Sequence, residues 1–530
     1  MPADATDPTH ETSEPDRFWS TVNALEATPL VLTALDWTFW KKSLELAAMR
    51  AWCDLGIVSP DEVVFVDDAD QRVTAAFYGR QAVNIDRVRW LMGSLPGTSG
   101  DDIERDIFGE VRPGIVDPPR KVSKLAMARG FPRSLRRHHG EVADFRAAIE
   151  TWWRIRVGDD PPGSPSKRLL EATRRFEDAQ RLHIRGRSLL QGLGAQVQEL
   201  ATGAGRPDLI AALTSGVGEM EETTVVDDLW RVAHGELDLA DFLARHGYHG
   251  NGEGNVSATV WREDPSLVER LVPAYADVPA GERPTARSAG TQAAREQAVA
   301  ELMAALPRPR RRLSGWVLNK TVELTRDLEV SKATFLMAID AGRAAARQRG
   351  AELVAAGAID DAADVLHLTV EEATAANLGD VRELVAARRA RHAHHLTVRP
   401  PDTWTGNPTA EPIVGAGERR DRLDGVAGSP GRVEGLARVI SDPAVDEPPA
   451  PGEILVCAMT DPSWALMFVM AAGLVIDIGG PASHGAIIAR ELGVPCVINT
   501  ETGTVDIRTG DRLVVDGDEG VVHIAERVGA

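Results

Sequence analysis

Hydrophobic positions recur at three- and four-residue spacing through most of the first 400 residues. Segments rich in Ala, Leu, Arg and Glu predict long amphipathic helices over residues 188–213, 319–353 and 381–396. The clearest interruption is residues 62–66, a short β-branched run between turn residues, which predicts a strand. The pattern therefore predicts a large, mainly α-helical body at residues 18–399.

The pattern changes at residue 400. Residues 400–422 are rich in Pro, Gly and Thr and lose all periodicity, which is typical of an interdomain linker. Beyond them, short apolar runs bounded by glycine alternate with two helical patterns. The runs are residues 437–440, 453–456, 473–478, 495–498, 512–515 and 521–524, and the helical patterns are residues 462–472 and 484–492. Alternation of this kind predicts a compact α/β domain at residues 423–530, so the fold class is multi-domain.

Charge and hydropathy exclude two classes of partner. The net charge of -20 argues against a general nucleic-acid binder, which needs a basic surface, and the basic run at residues 307–312 is interpreted as a solvated loop. The longest apolar stretch, residues 464–476, is far shorter than the ~20 residues of a membrane helix. Residues 1–17 are acidic and polar without an apolar signal segment, which predicts a disordered N-terminal tail.

Cysteine and histidine spacing gives no metal site. Cys53, Cys457 and Cys496 are far apart and form no CxxC pair, so neither a disulfide framework nor a thiolate zinc site is predicted, and a reducing cytoplasm is expected. The histidine-rich stretches at residues 136–139 and 391–395 are interpreted as helix ends, where cations complement the helix dipole.

The most reactive arrangement lies near the C-terminus. A loop of sequence GGPAS, residues 479–483, joins a predicted strand to a helix whose first turn holds His484. Glycines let the backbone approach a ligand closely, and a helix N-terminus offers unpaired N–H groups that favour phosphate. A neutral imidazole at that point could accept a phosphoryl group. From the residues alone, a buried structural histidine remains an alternative, as does a metal ligand with less support because no second ligand lies at suitable spacing.

Several C-terminal motifs occur in a characteristic order. They are SPG (429–431), VEG (433–435), GEILVCAMTDPSWALMF (452–468), GLVIDIGGPASHGAIIARELGVPCVINT (473–500) and GDRLVVDGDEGVV (510–522). Together they resemble the swivelling phosphohistidine domain of phosphoenolpyruvate synthase, pyruvate phosphate dikinase, rifampicin phosphotransferase and phenylphosphate synthase. The resemblance implies that His484 is transiently phosphorylated. It implies loop or phosphate support from Ser483, Gly480, Gly485, Thr460, Asp461 and Arg490.

The helical body carries a more dispersed resemblance. Its segments are EATPLVLTALDW (26–37), YGRQAVN (78–84), LPG (95–97), HGYHGNGEGNVSATVWREDP (246–265) and GAIDDAADVLHLTVEE (357–372). In this order they resemble the acceptor-binding body of rifampicin phosphotransferase and its relatives, with Ala34 where proline is usual.

One motif of that body departs from the family pattern. Relatives place R-E-x-x-K on a long helix that faces the phosphohistidine, and residues 328–332 read LEVSK here. Glu329 and Lys332 keep their places, three residues apart on one helix face, where Lys332 could neutralise the transferring phosphoryl group and Glu329 could accept the hydroxyl proton. Leu328 replaces the arginine, and Arg326 is the nearest candidate to bind substrate in its stead. An ordinary surface ion pair is the alternative.

A second candidate for the acceptor pocket is the glycine-rich loop around His249 and Glu253. Glycines at positions 250, 252 and 254 would let this loop approach a ligand, although turn formation alone would explain the same sequence.

The phosphoryl donor is expected to bind elsewhere. No glycine-rich nucleotide loop precedes the body, and no (β/α)₈ repeat follows His484, whereas multi-domain relatives carry an ATP-grasp domain or a phosphoenolpyruvate-binding barrel. The resemblance therefore implies no cofactor on this chain, with ATP and Mg²⁺ on a separate ATP-grasp partner. A linker of about 20 residues could span up to about 70 Å, which would let the C-terminal domain move between that partner and the helical body.

The expected function is that of a phosphotransferase. His484 would deliver its phosphoryl group to a hydroxyl of a small apolar or aromatic alcohol or phenol bound in the body. A non-enzymatic phosphocarrier or ligand-binding regulator is the alternative, and a self-sufficient phosphoenolpyruvate-using enzyme is disfavoured because the barrel pattern is missing.

Overall fold

The structure is a computed structural model that describes residues 7–528 except 23, 94–97, 109–110, 118–121, 219, 280–282, 414–418, 444, 461 and 481–482. The α-helices of this part are α1 Ala24–Ala27, α2 Ala34–Asp54, α3 Ile85–Met92, α4 Gly100–Phe108, α5 Lys124–Arg156, α6 Pro165–Gly203, α7 Ile210–Thr214, α8 Glu221–Ala233, α9 Leu239–His246, α10 Ser266–Ala276, α11 Pro284–Ala305, α12 Arg308–Ala355, α13 Val370–Thr374, α14 Arg382–His395, α15 Ala465–Phe468, α16 His484–Leu492 and α17 Gly503–Asp506. The strands are β1 Phe18–Ser20, β2 Thr74–Phe77, β3 Arg80–Asn84, β4 Val398–Arg399, β5 Thr403–Thr405, β6 Glu411–Pro412, β7 Arg422–Asp424, β8 Val426–Ser429, β9 Arg432–Val439, β10 Ile454–Cys457, β11 Gly473–Ile476, β12 Cys496–Ile498, β13 Arg512–Asp516 and β14 Val521–Glu526.

The helical body is organised around α12, a helix of 48 residues that packs along α5 and α6. Its apolar positions at helical spacing, among them Leu336, Ile339 and Leu353, are buried in the main core of the body. The predicted helix over residues 188–213 is in fact divided between α6 and α7, because Gly205 adopts a φ of +72° and Pro207 begins a short 3₁₀ turn.

A small sheet with the strand order β2-β3-β1-β5 closes one side of the body. Residues 7–17, interpreted from the sequence as a tail, lie against it, since Ala76 N–H donates to the Glu11 carboxylate at 3.1 Å. The strand predicted at residues 62–66 is wrong. The segment instead begins with a 3₁₀ turn at Pro60–Glu62 that Glu62 stabilises by accepting the Ser59 N–H at 2.8 Å.

The C-terminal domain is an eight-stranded sheet in the order β7-β14-β13-β9-β10-β11-β12-β8. The four strands β9 to β12 are parallel and the outer strands antiparallel. Strands β10, β11 and β12 are wholly buried, as expected for parallel strands covered on both faces. The predicted fold class, a helical body followed by an α/β domain, is confirmed; β7 and β8 were not predicted.

Much of the predicted linker is held by hydrogen bonds. Strand β5 pairs with β1 of the body, β6 pairs with β4, and the Arg419 guanidinium donates to the Asp506 carbonyl of the C-terminal domain at 2.7 Å. Only residues 413–418 lie between these attachments, and 414–418 are outside the described residues. The domain boundaries themselves stay a prediction.

The C-terminal domain is docked on the body in this structure. Residues from α8 and α10 share one hydrophobic cluster with residues from β10, α15, β11 and α16. The Tyr275 hydroxyl donates to the Leu466 carbonyl across this interface at 2.5 Å. Among the described helices, none combines the length and hydropathy needed to cross a bilayer.

Candidate active site

The loop before His484 leaves the carboxyl end of β11, which is the edge of a parallel sheet where ligands usually bind. Ser483 caps α16, its hydroxyl accepting the Ala486 N–H at 3.4 Å, and its own N–H donates to the Gly480 carbonyl at 2.9 Å. His484 is the first residue of α16, so the predicted strand, loop and helix are present; its side chain lies outside the described part of the structure.

Two predicted loop residues support the first turn of α16. A methyl group at Gly485 would lie 2.6 Å from Ile476 Cδ1 and 2.7 Å from Thr460 Oγ1, so only glycine fits there and Thr460 is buried directly beside the turn. Asp461 lies outside the described residues. Arg490 is at the far end of α16, where its guanidinium donates to the Gly428 carbonyl at 2.7 Å and so holds β8.

Asp477 is a loop residue that sequence reasoning missed. It follows β11 directly and is buried. Its carboxylate accepts hydrogen bonds from the hydroxyl groups of Thr500 at 2.8 Å and Thr504 at 2.5 Å. Burial raises the pKa of Asp477 above its ordinary value, although these hydrogen bonds oppose the shift. In the sequence, the position of Asp477 directly after a buried strand was the feature that could have indicated it.

The same loop faces the body. A methyl group at Gly479 would lie 3.8 Å from Oε1 of Glu26 in α1. Helix α1 in turn contacts the glycine-rich loop around Glu253, since a methyl group at Gly254 would lie 1.7 Å from the Ala27 carbonyl oxygen. Body residues close to the His484 loop therefore adjoin the predicted acceptor loop.

Lys332 lies deep in the body among three carboxylates. Its Nζ contacts Glu222 Oε1 at 3.1 Å, while 21% of its side chain remains accessible, so it borders a space rather than a packed core. Burial alone would lower the pKa of Lys332, but Glu222, Glu329 and Glu253 outweigh burial and raise it, so the ammonium group is charged. The structure thus brings the predicted Lys332, Glu329 and Glu253 together and adds Glu222.

His249 and Glu253 form a buried pair, with Nδ1 and Oε2 separated by 2.8 Å and both side chains at most 3% exposed. Burial raises the pKa of Glu253 to about 8, against the opposing effects of Lys332 and the Gly250 N–H. The raised pKa favours the neutral acid form of Glu253 at pH 7, and Glu253 shares a hydrogen bond with Nδ1 of His249.

Arg326 does not lie with Lys332. Its guanidinium donates to the Val217 carbonyl, with Nε at 2.8 Å. The adjacent Gly216 N–H donates to Oε1 of Glu491 in α16 at 2.9 Å, so Arg326 holds a body loop against the C-terminal domain. Its substrate-binding role stays a prediction, whereas its observed contacts are those of a docking residue.

Two further groups adjoin Lys332. His183 on α6 contacts Ser331 Oγ at 3.1 Å, and burial, aided by Arg187 and Lys332, lowers the pKa of His183 to about 3, which keeps the imidazole neutral. Glu222 is the second residue of α8, whose Val225 and Val226 belong to the hydrophobic cluster shared with the C-terminal domain. Neither residue carries a local sequence signal, because each is identified only by a contact with distant α12.

One cluster among the described residues combines side chains that commonly bind metal ions. Candidate ligand atoms of His139, Glu323 and Asp327 lie within 4.8 Å of one another. His139 Nδ1 and Asp327 Oδ1 already pair at 2.8 Å, and Glu323 is paired with Lys320. These contacts account for the cluster as a hydrogen-bonded His139–Asp327 pair between α5 and α12 and a Lys320–Glu323 ion pair along α12.

Comparisons with known proteins agree with this arrangement. Residues 449–520 match the PEP-utilising enzyme mobile domain, and residues 235–328 match the rifampicin phosphotransferase fourth domain. An uncharacterised protein of Mycobacterium tuberculosis is 33% identical over 337 residues, covering 62% of this chain and 36% of that protein. The rifampicin phosphotransferase of Streptomyces sviceus is 33% identical over 58% of this chain and 36% of that enzyme. The prodigiosin synthesizing transferase PigC of Serratia marcescens is 32% identical over 54% of this chain and 33% of that protein.

The chain thus spans about a third of the length of these relatives. The family resemblance inferred from the sequence is confirmed for both the helical body and the C-terminal domain, since each contains a region that matches a family model. Residues 449–520 are thus similar to the mobile domain of the PEP-utilising enzymes, and more than half of the chain is similar to a rifampicin phosphotransferase.

Proposed function

We propose that this chain carries a phosphoryl group on His484 to a hydroxyl group of a small apolar or aromatic acceptor bound in the helical body. The observation that carries the proposal is the docked arrangement, in which the loop before His484 lies against Glu26 of the body. From there, contacts lead through α1 and the Gly254 loop to Glu253 and the Lys332 cluster.

The chemistry breaks the P–N bond of phosphohistidine and forms a P–O bond to the acceptor oxygen. Lys332 supplies a fixed positive charge for the phosphoryl oxygens as charge redistributes in the transition state. The hydroxyl proton passes to a carboxylate, and Glu329 is the candidate because burial raises the pKa of Glu253 to about 8. The departing ring nitrogen of His484 takes up one proton in exchange, so His484 returns to its neutral imidazole and the overall reaction moves the hydroxyl proton to His484.

The surroundings of Lys332 favour an acceptor that is largely apolar. The neutral imidazole of His183 packs edge-on to the Phe335 ring, with centroids 5.4 Å apart. Phe335 also contacts Phe176, 6.2 Å away between ring centroids. Aromatic rings next to the charged Lys332 cluster suit an aromatic or polycyclic alcohol or phenol as acceptor.

The phosphoryl donor is proposed from the family resemblance. ATP and Mg²⁺ would bind an ATP-grasp protein or domain outside these 530 residues, which phosphorylates His484 before the C-terminal domain docks on the body. No cofactor role is assigned to this chain. A cytoplasmic location is proposed because its three cysteines are free thiols.

One observation favours the alternative of a non-enzymatic phosphocarrier. Leu328 stands where relatives have arginine, and its Cδ2 would lie 3.3 Å from a methyl group at Gly186, so it packs against α6 instead of binding phosphate. In that alternative, the Lys332–Glu222 pair is a structural ion pair and His484 only carries phosphate.

Substitution of Lys332 distinguishes the two functions. With an ATP-grasp partner, ATP and either phenol or rifampicin as probe acceptor, Lys332→Ala is expected to lower acceptor phosphorylation by about 10²-fold or more, since a fixed charge facing the phosphoryl group is lost. Intact mass measured in parallel should show unchanged phosphorylation of His484.

Lys320→Ala is the matched control, because Lys320 lies on the same helix and pairs with Glu323. It should leave both steps near the wild-type rate. Wild-type transfer in Lys332→Ala would contradict the assigned role, and phosphorylated His484 with no transfer to any probe in the wild type would favour the phosphocarrier.

A further inference from the structure

A second site of different chemistry lies between the end of α2, α5 and α6. It is a cavity of about 990 Å³ lined by six arginines and four carboxylates, an unexpected excess of positive charge in a chain of net charge -20. The arginines are Arg129, Arg133, Arg137, Arg175, Arg181 and Arg185. None of the lining residues that the structure describes belongs to the Lys332 cluster or the His484 loop.

The carboxylates do not neutralise these arginines evenly. Asp54 accepts from Arg181 at 2.8 and 2.6 Å and from Arg185 at 3.4 Å, and Glu141 accepts from Arg185 at 2.5 Å. Those carboxylates are committed to Arg181 and Arg185, two of the three lining arginines of α6. The remaining acidic lining residues are Glu62, which caps the turn after Ser59, and Asp178, which is exposed.

The three arginines of α5 form a row. Arg129, Arg133 and Arg137 are four residues apart, so they succeed one another along one face of α5 with a rise of about 6 Å each. No hydrogen bond or ion pair joins them to any residue that the structure describes. Guanidinium groups bind phosphate oxygens in bidentate fashion, and a row of them matches a chain of linked phosphates.

Part of the cavity wall is apolar. Ile57 and Val58 line it and are buried, and Phe145 and Leu182 contribute further hydrocarbon surface. The wall is rigid, because a methyl group at Gly130 would lie 2.7 Å from the Leu55 backbone, so α5 packs directly on the end of α2. The volume is at the upper end of the range of small-molecule pockets.

We propose that this arginine-lined cavity binds a small organic polyphosphate, with the linked phosphates along the α5 arginines and the organic group against Ile57 and Val58. This ligand is distinct from the phosphoryl group on His484. The chain would then sense a soluble polyphosphate on the body while the C-terminal domain carries phosphate.

The test is calorimetric titration of the full chain alone with tripolyphosphate, ADP and adenosine as probes. Tripolyphosphate and ADP are expected to bind one equivalent with a dissociation constant below about 1 mM, and adenosine should not bind under the same conditions. Arg133→Ala/Arg137→Ala should weaken ADP binding by about tenfold or more, since two charged hydrogen-bond donors to phosphate are lost.

Arg136→Ala is the matched control. Arg136 is on the same helix but does not line the cavity, and its guanidinium donates to the Pro132 carbonyl at 3.2 Å. It should bind ADP as the wild type does, as should His484→Ala. Because the substituted arginines are exposed, melting temperatures should be unchanged and would report any loss of folding.

Two results would overturn the proposal. One is that neither tripolyphosphate nor ADP binds the wild-type chain at about 1 mM. The other is that Arg136→Ala weakens binding as much as the double variant, which would assign the effect to general surface charge. Tighter binding of ADP than of tripolyphosphate would show that the apolar wall contributes.

Discussion

Lys332 and Glu253 show how one buried cluster gives two ionisable groups opposite states. Lys332 keeps its charge because Glu222 and Glu329 raise its pKa against burial, whereas burial raises the pKa of Glu253 to about 8 despite the attraction of Lys332. A charged lysine beside a neutral acid leaves Glu329 and Glu222 as the carboxylates that balance its charge. This assignment predicts a specific pH dependence.

Glu253→Gln is expected to change how stability depends on pH. The folded-state pKa of Glu253, about 8, exceeds its ordinary value of 4.5, so the folded chain holds this proton more tightly than the unfolded chain. The resulting stability is present below about pH 4.5 and is lost as pH rises through about 8. Between these values, the wild type should lose up to about 1.4 kcal/mol per pH unit relative to Glu253→Gln, measured by urea unfolding.

Glu253→Ala separates titration from packing. It should be less stable than Glu253→Gln by about 1–3 kcal/mol, because the hydrogen bond to His249 is lost, but its dependence on pH should be the same as that of Glu253→Gln. If the unfolding free energies of wild type and Glu253→Gln change with pH in the same way between pH 5 and 8, folding does not raise the pKa of Glu253 and the assignment is wrong.

At this scale, the sequence predicts residues within continuous motifs and misses those defined by distant contacts. Ser483 and Gly485 take the places expected around His484 because their partners lie on the same loop or on neighbouring strands. Glu26 and Glu222 could not be predicted as neighbours of Gly479 and Lys332, because only the packing of α1 and α8 brings each pair together. The contact of Arg326 with the Val217 carbonyl could not be predicted for the same reason, since the two residues are distant in the sequence.

At the scale of elements, α16 is held to the body by a carboxylate in a backbone cradle. Glu491 is 3% exposed and accepts the N–H groups of Gly216 and Val217, while Arg326 fixes the Val217 carbonyl. Gly216 needs its positive φ of +63° to present its N–H group in this way.

Glu491→Ala is therefore expected to loosen docking. Loss of the buried acceptor leaves two backbone donors without a partner, which costs about 1–3 kcal/mol. Hydrogen exchange at Gly216 and Val217 should accelerate by roughly tenfold or more. Glu519→Ala, at an exposed position between β13 and β14, is the control and should leave exchange at both amides unchanged. Equal protection in Glu491→Ala and wild type would show that Glu491 does not hold the interface.

The contact between α1 and the acceptor loop gives a second prediction. Gly254→Ala would place a methyl group 1.7 Å from the Ala27 carbonyl oxygen, so the backbone must move. We expect a loss of about 3 kcal/mol of unfolding free energy, together with slower transfer to the acceptor. Gly194→Ala, inside α6 with no atom within 4 Å, should instead stabilise by about 0.5–1 kcal/mol. Equal stability of the two variants would contradict the observed contact.

The strands of the C-terminal domain were predicted from the sequence better than those of the body. The parallel strands of the C-terminal domain are continuous buried apolar runs, so β10, β11 and β12 were predicted close to their observed bounds. The small sheet of the body was missed because β1 and β5 have three residues each and pair across most of the chain length. Strand pairing of that kind leaves no local periodicity.

For the whole molecule, the connection between the two parts limits how the C-terminal domain moves. The stretch from Pro412 to Arg419 contains seven Cα–Cα steps, which extend to roughly 25 Å at most. The full linker predicted from the sequence would reach much further, but strands β5 and β6 fasten its first half to the body. The reach between the last attached strand of the body and Arg419 is therefore about a third of the roughly 70 Å expected for the full predicted linker.

The account depends most directly on phosphorylation of His484. The decisive measurement is the intact mass of the full chain after incubation with ATP, Mg²⁺ and a candidate ATP-grasp partner, for wild type and His484→Ala. The account predicts one acid-labile phosphate on the wild type that requires the partner and is missing from His484→Ala. An equal phosphate gain in His484→Ala, or no gain with the natural partner, would contradict it.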